Sequence, residues 1–127
     1  GVKRTIALVE NIDYIDISQK IGIDTIVNKK LTTASYIVRF TLGEGVLSSK
    51  CLIGVDADAI EFTALSGSKV TSKPIRDLSF PKNAIIGGII RGNQGFIAVG
   101  NFQIQPGDRV VVFTLPEAIK SISRLFI

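Results

Sequence analysis

Apolar residues follow two different patterns along the chain, and the first covers about thirty residues. The run Arg4-Thr5-Ile6-Ala7-Leu8-Val9 is almost continuously apolar or β-forming, which predicts a strand covered on both faces. Thr25-Ile26-Val27 predicts a second short strand. Because two strands do not form a stable parallel sheet alone, residues 1–30 are expected to be the trailing edge of a larger Rossmann-like nucleotide-binding lobe.

Between these strands the apolar period changes to that of a helix. Tyr14, Ile17 and Ile21 recur at helical spacing and are expected to form its packed face. Asn11 or Asp13 is a suitable N-cap, and Gly22 suits the C-terminal end.

Residues 31–45 have the pattern of a longer helix, capped by Thr32 or Thr33 and stopped by Gly43-Glu44-Gly45. One side is lined by Leu31, Ser35, Val38 and Leu42. An apolar stripe on a helix between two lobes indicates a packing or dimer surface. We therefore treat 31–46 as a crossover or dimerisation helix, with Leu31, Val38 and Leu42 at its contact.

From about residue 47 the pattern changes to short strands and tight turns, which predicts a compact α+β lobe over 47–127. The expected strands are Cys51–Val55, Ile60–Leu65, Ala84–Arg91, Gly95–Val99 and Arg109–Thr114. Their turns are Ser66-Gly67-Ser68, Gly92-Asn93-Gln94 and Gln105-Pro106-Gly107-Asp108, with a short helical turn at 73–78. A helix from Pro116, with Ala118, Ile119, Ile122 and Leu125 on one side, closes the chain.

Composition narrows the classes of partner. Fifteen basic and eleven acidic residues give a net charge of +4, scattered along the 127 residues without a basic stripe. The aromatic residues expected in the core rather than at a nucleic-acid surface are Phe62, Phe80, Phe96 and Phe113. No apolar run approaches the ~18 residues of a membrane span. We expect no nucleic-acid partner, no membrane insertion and a cytoplasmic location.

Catalytic chemistry has few candidate residues. The chain has no histidine, which removes the usual nucleophile–histidine pairs and the commonest zinc ligand. Asp56, Asp58 and Glu61 are close enough in sequence for a cation site or an acid–base pair, but a solvated loop feeding a strand is the preferred interpretation. We predict that the chain is not an enzyme.

Two further candidates have simple structural interpretations. A Ser–Lys dyad drawn from Ser66, Ser68 and Lys69 has no neighbouring oxyanion site. The single cysteine, Cys51, lies beside apolar residues and is expected to be a small buried side chain.

The glycines of Gly87-Gly88-Ile89-Ile90-Arg91-Gly92 lack both the Gly-Lys-Ser/Thr ending of a phosphate loop and the strand-to-helix position of a dinucleotide fingerprint. Gly87 and Gly88 instead indicate a bulge or a close approach. Arg91 is the best single candidate for a phosphate contact, and the alternative is a surface arginine paired with a carboxylate.

Four motifs occur in order over nearly the whole chain: Ile21-Gly22-Ile23-Asp24, Ser72-Lys73-Pro74-Ile75, Ile85-Ile86-Gly87-Gly88-Ile89-Ile90-Arg91-Gly92 and Ile104-Gln105-Pro106-Gly107-Asp108. This ordered set resembles Trk-type potassium-uptake regulators of the RCK class (regulators of potassium conductance). The resemblance implies a cytoplasmic subunit that assembles as a dimer or ring beneath a membrane potassium transporter or channel. It implies NAD(H) or ATP as ligand of the nucleotide lobe. Because the glycine-rich turn of that lobe is missing here, this chain alone is not expected to bind dinucleotide.

Some relatives bind cyclic di-AMP between two C-terminal lobes. By motif, that ligand site carries over to Ile85, Ile86 and Arg91. Three alternatives stay open at this point: the same lobe on another transporter, a substrate lobe of a Rossmann-type enzyme, and a purely structural dimerisation lobe.

Overall fold

The computed structural model describes residues 2–42, 44–52 and 55–127. The N-terminal part is a parallel pair of strands, β1 (Ile6–Leu8) and β2 (Thr25–Val27). A 3-10 turn (Ile12–Tyr14) and helix α1 (Ile15–Lys20) connect them. The predicted strand–helix–strand order is confirmed, although Ile6 and Leu8 are exposed, so β1 is not covered on both faces within this chain.

Helix α1 packs with a different face from the one predicted. Tyr14, Ile17 and Ile21 are all more than half exposed, whereas Ile15 and Ser18 are buried. Spacing alone was ambiguous because positions 15 and 18 satisfy helical periodicity equally well. Of the two candidate caps, Asn11 accepts a hydrogen bond, from the N–H of Asp13 at 3.1 Å, but it caps the 3-10 turn Ile12–Tyr14. The residue before α1 is Tyr14, which makes no capping bond with its side chain.

Helix α2 (Lys29–Leu42) begins two residues before the predicted start. Asn28, rather than Thr32 or Thr33, caps it: its Oδ1 accepts from the N–H of Leu31 at 3.0 Å. Its Nδ2 also donates to the carbonyl of Val9 at 2.7 Å, so Asn28 ties α2 to the end of β1. The predicted stop at Gly43 lies outside the described residues, and Gly45 follows with a positive φ of 95°.

The second half is a five-stranded antiparallel sheet in the order β3-β4-β7-β5-β6. Its strands are β3 (Val46–Cys51), β4 (Asp58–Thr63), β5 (Ala84–Arg91), β6 (Gln94–Phe96) and β7 (Arg109–Thr114). The prediction of a strand at 51–55 is wrong: β3 ends at Cys51, and residues 53 and 54 lie outside the described part. The strand starts earlier because Val46 is buried in the core and pairs with Phe62 of β4; Leu47 lies at a register shift between the two strands. The other four predicted strands are confirmed, β5 and β7 with the predicted bounds and β4 and β6 with shifted ends.

One face of this sheet carries the core. Helix α3 (Ile119–Phe126), preceded by a 3-10 turn at Pro116–Ala118, packs against it. The fully or almost fully buried apolar side chains are Ile60, Phe62, Ala64, Val70, Ile89, Ile104, Val110, Val112, Ile122 and Phe126. Alternate residues of β4 and β7 supply this face because a strand directs successive side chains to opposite sides. The predicted α+β lobe is therefore confirmed, as is the apolar stripe on the C-terminal helix.

Two single-residue expectations of burial are wrong. Phe113 is 39% exposed because it follows Val112 on β7 and therefore faces outward. Cys51 is exposed at the end of an edge strand, although partial burial, followed by the nearby Asp58 and Asp56, raises the pKa of its thiol. Across the described ranges, no helix is long and apolar enough to cross a membrane.

Candidate functional site

Arg91 lies at the end of β5, where its guanidinium is held by a buried carboxylate. Its Nε donates to Oδ1 of Asp108 at 2.8 Å and its Nη2 donates to Oδ2 at 2.7 Å. Asp108 is 1% exposed, and its Oδ2 also accepts from the N–H of Gln105 at 2.8 Å. This bidentate pair fastens the Gln105–Asp108 turn to the sheet.

The ionisation of this pair follows from its contacts. Burial by itself would raise the pKa of Asp108, but the hydrogen bonds from Arg91 and Gln105, with the positive charge of Arg91, outweigh it and lower that pKa. The hydrogen bond to Asp108 raises the pKa of Arg91. Both groups are therefore charged across the physiological range.

Two aromatic rings complete the surroundings of the guanidinium. The Cζ atom of Arg91 lies 5.1 Å from the ring centroid of Phe102 and 5.7 Å from that of Phe96. Such distances give favourable cation–π contacts. Of the two roles predicted for Arg91, the structure therefore shows the pairing with a carboxylate. Sequence reasoning missed Asp108 and Phe102 as partners, although the Pro-Gly-Asp turn signal was the clue to the first.

The three residues predicted to contact a ligand do not share one surface. Ile85 is 65% exposed, whereas Ile86, the next residue of the strand, is buried in the core. Arg91 has 34% of its side chain exposed and donates to Asp108 and to the carbonyl of Gln103. Ile85 is thus the one of the three that is freely presented, and the ligand role of the set stays a prediction.

A β-bulge interrupts β5 at Gly87, as the paired glycines predicted. The bulge lets both Ile86 and Ile89 face the core, although they are an odd number of residues apart. The ring of Phe113 lies directly over Gly87, so an added Cβ would overlap the ring, 2.9 Å from its Cδ2 atom. Glycine is needed here for close packing.

Gly87→Ala is expected to lower the free energy of unfolding by about 1–3 kcal/mol, because the methyl group displaces the Phe113 ring. The matched control is Gly88→Ala, whose Cβ would meet only the carbonyl of Phe96 at 3.6 Å. In a Phe113→Ala background the cost of Gly87→Ala should largely disappear. Chemical denaturation of the four variants measures this coupling, and an unchanged cost in that background would contradict it.

The residues considered from the sequence for a cation site, an acid–base pair or a Ser–Lys dyad do not form a common site. Glu61 of β4 accepts from Ser48 Oγ at 3.2 Å and pairs with Arg109 at 3.5 Å. Burial, then the charge of Asp56, raises the pKa of Asp58. Within the part of the chain that the structure describes, no cluster of three acidic, cysteine or histidine residues is placed to hold a metal ion. Ser68 is buried with its Oγ unpartnered.

The predicted stripe of α2 is its packed side. Leu31, Val38 and Leu42 are half-buried, and Leu42 packs against the core of the sheet. The opposite side exposes apolar side chains, with Ile37 60% and Phe40 84% exposed. The stripe is thus used within the chain, while its predicted role in a dimer stays a prediction.

Comparisons with known proteins agree with the resemblance. Residues 59–127 match the TrkA-C domain family. Trk system potassium uptake protein TrkA homolog 2 of Methanosarcina mazei is 34% identical over 126 residues, which are 99% of this chain and 28% of that protein. Trk system potassium uptake protein TrkA of Azorhizobium caulinodans is 29% identical over the same shares. A solved RCK domain with cda is 25% identical and covers 54% of this chain and 97% of its own, with a TM-score of 0.49.

The chain spans little more than a quarter of the length of these curated relatives. The family match covers more than half of it, including β4 to α3, the bulge and the Arg91–Asp108 pair. The chain therefore belongs to the TrkA-C domain family.

Proposed function

We propose that this chain is the C-terminal regulatory part of a Trk-type potassium-uptake protein. In this proposal it controls a membrane potassium transporter from the cytoplasmic side through ligand binding and assembly. Its support is the similarity to TrkA proteins along almost its entire length. Binding of NAD(H) or ATP belongs, in this proposal, to parts of the protein outside this chain.

Self-association is proposed because one edge of β5 is open. Strand β6 pairs with β5 only from Ile89 to Arg91. Within the described residues no strand covers the outer edge of Ala84–Ile86. Exposed Ile85 projects beside this edge, and Phe113 lies opposite it on β7. An unpaired edge with apolar side chains favours pairing with a second copy of the same edge.

A ligand such as cyclic di-AMP is proposed to bind where two such edges meet, against Ile85 of each copy. The described hydrogen bonds of Arg91 use its Nε and Nη2 groups, so its Nη1 group is the proposed donor to a phosphate, and the ion pair with Asp108 would be kept. Ile86 would contribute by supporting the strand from the core. A ligand that favours the assembled state stabilises it in proportion to its difference in affinity between the two states.

Ile85→Glu is expected to reduce self-association at least about tenfold, because two carboxylates would be brought together at the symmetric contact. Sedimentation of this variant and the unchanged protein measures the effect. Ile17→Glu is the matched control, since Ile17 is 56% exposed on α1, away from this edge. A monomeric unchanged protein, or equal association of both variants, would contradict assembly through β5.

Thermal unfolding with cyclic di-AMP, NADH and ATP then tests the ligand. At 100-fold excess over its dissociation constant a ligand stabilises the fold by about 2.7 kcal/mol. We expect stabilisation by cyclic di-AMP that Ile85→Glu removes and Ile17→Glu retains. No stabilisation by any of the three, from a stable dimer, would leave an assembly lobe and place ligand sensing elsewhere in the protein.

A further inference from the structure

A cavity of about 470 Å³ lies between α2, the end of β2 and the edge strand β3. This volume is in the range of small-molecule sites. Its lining shares no residue with the Ile85 and Arg91 region. The inference drawn from it therefore does not depend on the function proposed above.

The cavity runs along the open edge of the sheet. Five consecutive residues, Leu47–Cys51, line it, although their side chains alternate between the two faces of β3. The cavity must therefore follow the strand edge. In the part of the chain that is described, β3 pairs only with β4. The outward backbone groups of β3 are thus turned to the cavity and supply hydrogen-bonding positions.

The charged residues of the lining are both cations, Arg39 from α2 and Lys50 from β3. The ion pairs found across the described ranges do not include either of them. Asp58 faces Cys51 in the β3–β4 pair, and Glu61 is engaged by Ser48 and Arg109, but neither carboxylate lines the cavity. Two cations from different elements of one cavity lining, neither of them in a described ion pair, attract an anionic group.

The rest of the lining has an apolar and a hydroxyl-bearing part. Ile15, Ile26, Leu31 and Leu47 are apolar, while Ser49 and Tyr36 carry hydroxyl groups. A few polar groups around a mainly apolar floor are typical of sites that orient an organic ligand. We propose that this cavity binds a small molecule with an apolar body and a phosphate or carboxylate group, and that Arg39 and Lys50 hold that group.

The walls come from both parts of the fold. Ile15 and Ile26 belong to the β1–α1–β2 unit, whereas Leu47 and Lys50 belong to the five-stranded sheet. A ligand that touches both walls stabilises their present arrangement and disfavours any arrangement in which they separate. The cavity is thereby a site at which a metabolite can bias the relation between the two units.

The test uses 1-naphthyl phosphate, 1-naphthoate, neutral 1-naphthol and inorganic phosphate as probes, with binding followed by naphthyl fluorescence and amide chemical shifts. We expect at least one naphthyl anion to bind and to shift the amides of Ser35, Leu47 and Ser49. Comparison of phosphate with carboxylate assigns the preferred group. Naphthol and inorganic phosphate should bind more weakly, since naphthol lacks the anionic group and inorganic phosphate lacks the apolar body.

Arg39→Gln and Lys50→Gln should each lower the affinity for the naphthyl anion at least about tenfold, which is the effect expected when a charge-assisted hydrogen bond is lost. Lys30→Gln is the matched control, because it removes the same charge from α2 without touching the cavity. Circular dichroism verifies that these surface variants fold. The proposal would be overturned if no naphthyl anion bound at millimolar concentration, or if naphthol bound as tightly as the anions. It would also be overturned if the amide shifts were confined to the Ile85 edge, or if Lys30→Gln weakened binding as much as Arg39→Gln and Lys50→Gln.

Discussion

Arg91→Ala is expected to lower the free energy of unfolding by about 2–4 kcal/mol. The replacement leaves the carboxylate of Asp108, 1% exposed, with only the N–H of Gln105 as a described partner. Removing one partner of a fully buried pair costs about 3–5 kcal/mol. The value here is lower because 34% of the Arg91 side chain is exposed and water can enter in its place. Urea denaturation measures the loss.

Arg109→Ala is the matched control on the neighbouring strand. Its pair with Glu61 is longer, at 3.5 Å, and the arginine side chain is 48% exposed. Pairs of this kind contribute about 0–1 kcal/mol. In addition, Asp108→Asn should restore part of the stability lost in Arg91→Ala, since no buried charge is then left alone. Equal losses for Arg91→Ala and Arg109→Ala would contradict the structural role of the pair.

The same pair predicts how stability depends on pH. Because the folded pKa of Asp108 is lowered, its contribution is complete above the unfolded pKa of about 4 and is lost as the pH falls through the folded value. In Arg91→Ala burial is opposed only by the hydrogen bond from Gln105, so the pKa of Asp108 should lie above its value in the unchanged protein and less stability should be lost at low pH. The difference in stability between the two proteins should therefore shrink from pH 6 to pH 3. A constant difference would show that Asp108 is not responsible.

This result also bears on ligand experiments. A loss of cyclic di-AMP binding in Arg91→Ala would not distinguish a missing phosphate contact from a weakened lobe. Ile85→Glu is the better variant because Ile85 is exposed and takes no part in the Arg91–Asp108 pair.

Phe126→Ala is expected to cost about 3–5 kcal/mol, the range for removing a large buried side chain. Phe126 is fully buried near the end of α3 and stacks on Phe62, with ring centroids 4.5 Å apart and an angle of 13° between the rings. Its carbonyl also accepts from the N–H of Leu65 at 3.1 Å. Phe126 thus holds the last turn of α3 against the sheet, together with the partly buried Leu125.

Denaturation followed by circular dichroism measures this loss, together with the helical signal of α3. The adjacent Ile127→Ala is the control, because Ile127 is 58% exposed and should change stability by less than about 0.5 kcal/mol. If Phe126→Ala does not fold, Phe126→Leu, with about half the cost, retains the test. Equal stability of the Phe126 and Ile127 variants would contradict the packing of α3.

Local patterns in the sequence were sufficient for most elements of the second half. Turn residues placed the bends at Gly67, Gly92 and Gly107, each of which has a positive φ. Helical spacing identified the buried side of α3. These predictions succeeded because backbone sterics and a single buried face act within a few residues.

Where two registers were equally consistent with the pattern, sequence reasoning failed. Ile15 and Ser18, rather than Tyr14 and Ile17, form the packed side of α1. Strand β3 ends, rather than begins, at Cys51 because it extends along β4. The choice depends on which neighbour is present across the contact, and short segments contain no information about that neighbour.

The sequence by itself determined the α+β class, the turns, a bulge or close approach at the Gly87-Gly88 pair, and the family to which the chain belongs. Tertiary structure alone decided that Arg91 bonds to Asp108, seventeen residues away, and that Ile85 and Ile86 face opposite environments. It alone placed Arg39 and Lys50 on the walls of one cavity. The physical reason is distance along the chain: turns and alternation arise between neighbours, whereas ion pairs and cavities require segments that meet only after the sheet has formed.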